Sequence, residues 1–340
     1  MIRRSRWFIV IGMVSLGALP RAHAASFPDV PKSHFAHDAI LYLADRNIFA
    51  GYVDPKGGPS GRTFKPDKNV NRAEALKIIA SNFIPKSETI TLRSTDFTDV
   101  PDNAWYLPSI TWALPKRIID GPPSMTAFFP MRSVTKAEFL KMLFSAYGID
   151  PKAFNDIALP LSSDVTDVKE WYYPWMRYAI ATTTTIAPES GTLAPARELT
   201  RADVALLLYR FMLYRDGRRT QELLTETRKD VERVITSLAK GDVRGAEYAS
   251  ARAILIARGA LLTEPEQPVV KVAVKIAEGY RALTRAYRAS LNGDLEVVRK
   301  LSADAVTLAG QARTISGEAK ALADQLEKYS TSFADQTRKK

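Results

Sequence analysis

The 340-residue chain is 46% apolar and 25% charged, an ordinary globular composition with room for two domains. It contains no cysteine, which excludes disulfides, a lipid-modified cysteine anchor, thiolate zinc sites and thiol nucleophiles. The formal net charge of +11 is uneven: residues 1–24 hold four arginines and no acid, residues 25–217 hold 22 basic and 21 acidic residues, and residues 218–340 hold 22 and 16.

Residues 1–24 read as an export signal. Arg3, Arg4 and Arg6 form a basic start, Phe8 to Leu19 a short apolar run, and Ala22-His23-Ala24 a small-x-small cleavage site. The apolar run falls short of the roughly 20 residues that span a bilayer, with an uncleaved anchor as the alternative. Export makes an anionic wall polymer or a membrane surface a better counter-charge for the basic C-terminal part than nucleic acid, which is not expected as a partner.

A pattern then recurs three times. The first copy has Phe27-Pro28-Asp29-Val30, Phe35, Ile48, Gly51, Phe64-Lys65-Pro66 and Asn71-Arg72-Ala73-Glu74. The second has Phe97-Thr98-Asp99-Val100, Trp105-Tyr106, Ile118-Ile119-Asp120-Gly121, Phe129-Pro130 and Thr135-Lys136-Ala137-Glu138. The third has Thr166-Asp167-Val168, Trp171-Tyr172, Leu193-Ala194-Pro195 and Thr200-Arg201-Ala202-Asp203, placing Asp99 70 positions after Asp29 and Asp167 68 after Asp99. Each copy predicts helix, loop, helix. Asn71, Thr135 and Thr200 fall where a helix cap belongs, with an acid three residues on, which is a capping-box pattern. One such unit cannot bury its own apolar faces, so three together make sense. Two departures are visible: Val53 to Gly61 reads as an insertion, and Thr182-Thr183-Thr184-Thr185 replaces the glycine turn of the third copy.

These motifs resemble the S-layer homology domain over about residues 27–215. The resemblance implies a mainly all-α fold with a pseudo-threefold arrangement of three repeats at 25–90, 91–155 and 156–217, whose grooves bind cell-wall polysaccharide, often with pyruvylated sugars, or a peptidoglycan-linked polymer. It further implies that Asp29, Asp99, Asp167, Trp105, Trp171, Arg72 and Arg201 line those grooves, with Lys136 in the arginine position of the second. The chemistry suits the residue types, since a guanidinium makes a planar two-point contact with a carboxylate. Each also has a plainer reading: helix-capping aspartates, core tryptophans, and arginines paired to Glu74 or Asp203.

From Arg218 the composition turns to Ala, Leu, Arg and Glu. Gly241-Asp242 and Gly293-Asp294, 52 residues apart, signal two helical hairpins, since glycine ends one helix and aspartate caps the next. Apolar spacing predicts helices at about 218–240, 242–262, 267–292 and 294–329, an antiparallel four-helix bundle spanning 218–340. Arg281, Arg285 and Arg288 form either a solvated face or an anion-binding stripe.

No catalytic constellation, cofactor motif or metal-ligand set stands out; His34 and His37 lack a third ligand. The reading is a non-catalytic exported anchor at the cell wall or surface, or in the periplasm of a two-membrane envelope. Its bundle would space, self-associate or dock a protein partner. The alternatives are a self-assembling surface-layer protein and a wall-targeted enzyme or enzyme subunit.

Overall fold

A computed structural model describes residues 26–54, 61–84, 95–121, 124–188 and 191–338. The export signal read in residues 1–24 and the middle of the predicted insertion, 55–60, lie outside them. Helices α1 (His37–Asp45) and α2 (Arg72–Ala80), α3 (Leu107–Ala113) and α4 (Lys136–Ala146), and α5 (Tyr173–Ala181) and α6 (Arg201–Arg215) form three successive pairs. All three predicted capping boxes form: the side chains of Asn71, Thr135 and Thr200 accept from the amides of Glu74, Glu138 and Asp203, whose carboxylates accept the cap amides in return. Each box satisfies two amide groups that a helix start otherwise leaves unpaired. In the first unit the ends of the insertion pair as a two-stranded antiparallel ribbon, β1 (Tyr52–Val53) with β2 (Arg62–Thr63).

The units close into a ring. The Val70 amide donates to Leu199 O at 2.9 Å, the Leu199 amide to Val134 O at 3.0 Å, and the Val134 amide to Val70 O at 2.9 Å. Around this triangle each second helix starts on the preceding turn of the next unit: the Arg72, Lys136 and Arg201 amides donate to Arg132 O, Arg197 O and Lys68 O, all at 2.9 Å. The resulting pseudo-threefold arrangement buries Val70, Val134 and Leu199 completely.

The third unit departs from the predicted register. Both oxygens of Asp29 accept backbone amides, from Phe64 at 2.9 Å and Lys65 at 2.6 Å, and those of Asp99 accept from Phe128 and Phe129, both at 2.7 Å. In the third unit this clamp is Asp164, holding the Leu193 amide at 2.9 Å and the Ala194 amide at 2.7 Å. Asp167, three residues later, only accepts from Lys169 at the surface. The Asp-Val pair occurs twice there, and the copy with the right reach to Leu193 is Asp164-Val165. Each clamp holds a residue in the left-handed region, Lys65, Phe129 or Ala194 (φ 58°, 57° and 48°). The threonine run that replaces the glycine turn of the third copy still supplies a left-handed residue, Thr183. Gly51 is left-handed as well (φ 66°), but its counterpart Gly121 is not; the left-handed position shared by all three units after the first helix is Asn47, Arg117 or Thr183 (φ 59°, 55° and 49°). A β-branched residue there is strained by about 1–2 kcal/mol.

Among the described residues the C-terminal part contains five long helices, not four: α7 (Thr220–Ala239), α8 (Val243–Thr263), α9 (Pro268–Leu291), α10 (Leu295–Ile315) and α11 (Lys320–Arg338). The two Gly-Asp hairpins form as predicted, with Gly241 and Gly293 left-handed (φ 72° and 77°). Asp242 and Asp294 accept from the Gly245 and Val297 amides. The expected helix 294–329 breaks at Ser316, which turns extended (φ −150°, ψ 129°) and accepts the Glu318 amide with its side chain. Serine there can satisfy a new helix start, and Gly317 follows, so propensity favours a break that the apolar spacing hides. The chain then folds back, and Leu326 of α11 seats against Gly279 of α9, where an added Cβ would lie 2.3 Å from Leu326 Cδ2.

The bundle does not hang from the ring; it packs into the third unit. Thr182, Thr183, Thr184 and Thr185 are all buried. Arg219 donates to the Thr183 hydroxyl at 3.0 and 3.2 Å, the Tyr214 hydroxyl to Gly259 O at 3.0 Å, and Arg252 to Leu161 O at 3.0 Å. Arg252 is itself held by the buried Asp230 at 2.8 Å. A single apolar core runs from Phe27 to Leu326. No helix among the described residues is long and apolar enough to cross a membrane.

Candidate functional site: inter-unit clefts

The ring geometry builds the same cleft from three units at once. In the first cleft Arg201, from the third unit, reaches over the Ile48 to Tyr52 turn of the first unit, and Trp105, from the second unit, closes the far side. The cleft has a volume of about 560 Å³, and Glu74 and Lys77 of α2 also line it. Advancing each position by one unit gives the second cleft, of about 270 Å³, lined by Arg72, Ile118, Ile119, Asp120, Glu138, Lys141 and Trp171. The third set would combine Lys136, the Thr182–Thr185 turn and Phe35.

The cations are placed by the aspartate clamps. Asp29 fixes the turn whose Phe64 carbonyl accepts Arg201 Nε at 2.8 Å, and Asp99 fixes the Phe128 carbonyl that accepts Arg72 Nε at 2.9 Å. In the third set the Leu193 carbonyl, fixed by Asp164, accepts Lys136 Nζ at 2.6 Å. The carboxylates of Asp29 and Asp99 are therefore taken up by main-chain amides. They position the cations instead of projecting into a cleft. Burial pushes the Asp164 carboxyl up, but the Leu193 and Ala194 amides and the Ser162 hydroxyl outweigh it and hold it below the usual range.

Electrostatics separates the three sets. In the second cleft Arg72 Nη1 meets Glu138 at 3.1 Å and Lys141 meets Asp120 at 2.5 Å, so both cations are already neutralised. In the first cleft Ala50 occupies the position of Asp120, and Glu74 is held by Lys68 at 2.9 Å. Arg201 lies over the rings of Tyr52 and Phe64, both 4.6 Å from centroid to guanidinium, and Lys77 over Trp105 at 5.2 Å. Cation–ring contacts leave the outward donors of a guanidinium available. In the third set, burial beside Arg197 lowers Lys136 to about 8, Leu206 replaces the lysine of α2 and α4, and Asp203 is held by Arg197 at 2.8 Å. Its threonine turn lies beneath the bundle.

The structure thus gathers Arg201 and Trp105 in one cleft and Arg72 and Trp171 in another, and places Lys136 in a third setting and Asp167 in none. These two tryptophans are not core: Trp105 is 51% exposed and Trp171 52%. Lys77, Tyr52, Asp120 and Lys141 were not singled out from sequence. Lys77 and Lys141 share one visible signal, since each lies three residues after its capping-box glutamate. His34 accepts the Ala36 amide and His37 pairs with Asp38. No group of three or more His, Asp or Glu residues with metal-site geometry occurs among the described residues.

Residues 26–76 and 96–140 match the S-layer homology domain. The chain is 28% identical over 202 residues to the surface-layer 125 kDa protein of Lysinibacillus sphaericus, covering 58% of this chain and 16% of that protein. It is 26% identical over 187 residues to the exoglucanase XynX of Acetivibrio thermocellus, covering 55% and 16%. It is 32% identical over 120 residues to a cellulosome-anchoring protein of the same species, covering 35% and 25%. The chain therefore spans a quarter or less of the length of these relatives.

Proposed function

We propose that this protein is a non-catalytic anchor that holds an acidic cell-wall polysaccharide or peptidoglycan-linked polymer in its first inter-unit cleft. On this reading residues 156–217 are a third S-layer homology repeat, and the bundle is the part carried at the wall. The observation that supports it is the first cleft itself, where Arg201, Lys77 and Trp105 converge from three units and, among the described residues, Lys77 has no carboxylate partner, Glu74 being held by Lys68. A guanidinium fork and an ammonium suit an acidic sugar, and an exposed indole offers a flat apolar face for a sugar ring. Two of the relatives similar over this region, a surface-layer protein and an exoglucanase, differ in the roles their names state, which fits a shared attachment region joined to different cargo.

Co-sedimentation with purified wall sacculi, before and after acid stripping of attached polysaccharide, tests the reading. Arg201→Lys is the suitable variant, because Lys136 makes the same carbonyl contact elsewhere in the ring. Combined with Lys77→Ala it is expected to reduce retention at least tenfold, while Arg72→Lys changes it little. Asp120→Ala, which frees Lys141, is expected to increase retention. Retention of Arg201→Lys/Lys77→Ala equal to wild type would sink the assignment of the first cleft.

A further inference from the structure

A second cationic concavity lies in the bundle, between α8, α9 and α10, where Arg258, Arg281 and Arg285 converge on a cavity of about 430 Å³. Its charges are unevenly matched. Arg258 is taken up by Asp156, from the loop between α4 and α5, and by Glu278 at 3.7 Å, and Lys275 also holds Glu278 at 3.2 Å. Arg281 and Arg285, one turn apart on α9, make no hydrogen bond or ion pair with any described residue. The remaining acid in the lining is the exposed Asp304. Like charges four residues apart on a helix repel, and Arg281 is partly buried, with its pKa lowered first by loss of water and then by Arg285 and Arg258, which outweigh the opposite pull of Asp156 and Tyr173. Arg288, by contrast, is spent on Glu247, with contacts of 2.7 and 2.9 Å. So the basic stripe of α9 divides: one arginine is a surface ion pair, and two line a cavity with no hydrogen bond or ion pair to a described residue.

We propose that this cavity binds a phosphorylated ligand of sugar size, its phosphate held between Arg281 and Arg285. Two adjacent guanidiniums match the several acceptor oxygens of a phosphate, and weak hydration makes them cheap to desolvate. The cavity falls within the roughly 300–1,000 Å³ of small-molecule sites and is larger than one oxyanion needs. Thr307, Gln311 and Asp304 of α10 offer donors and acceptors for hydroxyl groups on the body of the ligand, and Leu301 and Leu308 give it an apolar wall. The site draws on α8 to α10 and is independent of the inter-unit clefts.

Titration calorimetry of the full chain at constant ionic strength, with glucose 6-phosphate, inorganic phosphate and glucose as probes, tests this. Saturable binding of glucose 6-phosphate is expected, displaced by inorganic phosphate and absent for glucose. Arg285→Gln, at an exposed position that does not endanger folding, should weaken it at least tenfold, and Arg281→Gln/Arg285→Gln should abolish it while sacculus retention is unchanged. No saturable binding, equal binding of glucose, or wild-type affinity in Arg285→Gln would each overturn the site. Sedimentation with phosphatidylglycerol vesicles without affinity for glucose 6-phosphate would also overturn it, making the patch a membrane contact.

Discussion

Replacing Gly259 by alanine adds one methyl group where α8 crosses the end of α5, and the geometry there leaves no room for it. An added Cβ would lie 1.7 Å from the Ala181 carbonyl oxygen and 2.6 Å from its carbon, whereas real Cβ contacts stay beyond 3.0 Å. Both obstacles are main chain, so no rotamer relieves the clash, and the helices must separate by about 1.3 Å. A gap of 0.5–1 Å already forfeits roughly a quarter to a half of the dispersion attraction across an interface. The same shift strains the Tyr214–Gly259, Arg219–Thr183 and Arg252–Leu161 hydrogen bonds, each worth about 1 kcal/mol. Alanine returns about 1 kcal/mol of helix propensity, leaving a net loss of roughly 2–4 kcal/mol. All five tryptophans precede residue 218, so fluorescence follows the ring while far-ultraviolet circular dichroism also follows the bundle. In urea the two probes should coincide for wild type and separate for Gly259→Ala. Coincident curves within about 0.5 kcal/mol of wild type would refute the close docking of bundle and ring.

Two further outcomes follow from the clamps and the third cation. Asp164→Ala should cost about 2–3 kcal/mol by orphaning two amides, while Asp167→Ala should stay within about 0.5 kcal/mol; thermal denaturation distinguishes them, and equal losses would contradict the placement of the clamp. Lys136 titrates near 8 in the folded chain, below its ordinary 10.5, so between those values the unfolded chain binds the extra proton. Stability should therefore rise as pH goes from about 8 to 10.5 and fall in the reverse direction, by on the order of 2 kcal/mol after allowing for residual solvent access. Subtracting the curve of Lys136→Met isolates this contribution, and a flat difference would contradict it.

The repeats were legible because their signals are local. Capping boxes, Gly-Asp hairpins and helical apolar spacing depend on residues within a few positions of one another. The clamp in the third unit was misassigned because two Asp-Val pairs lie three residues apart, and only the distance to Leu193 separates them. The break at Ser316 was hidden by an apolar seam that continues in register through Ala319 and Leu326, although the capping serine and Gly317 were there to be read. The clefts were half visible. Arg72, Arg201 and the tryptophans announce themselves by recurrence, but that Ala50 leaves Lys77 unopposed while Asp120 neutralises Lys141 is a relation between units. The threonine run looked like a defect in a turn; its meaning lay in Arg219 and Gly259, tens of residues away.

The triangle of Val70, Val134 and Leu199 has an evolutionary corollary. Each member supplies one donor and one acceptor to its neighbours, so losing a copy would strand an amide and a carbonyl in the protein's interior, and a fourth copy would have nowhere to insert. Copy number is thereby locked while individual copies remain free to drift. One could specialise in an acidic ligand, another could mute its own charge, and the last could surrender its surface to a neighbouring domain without dismantling the closed trio.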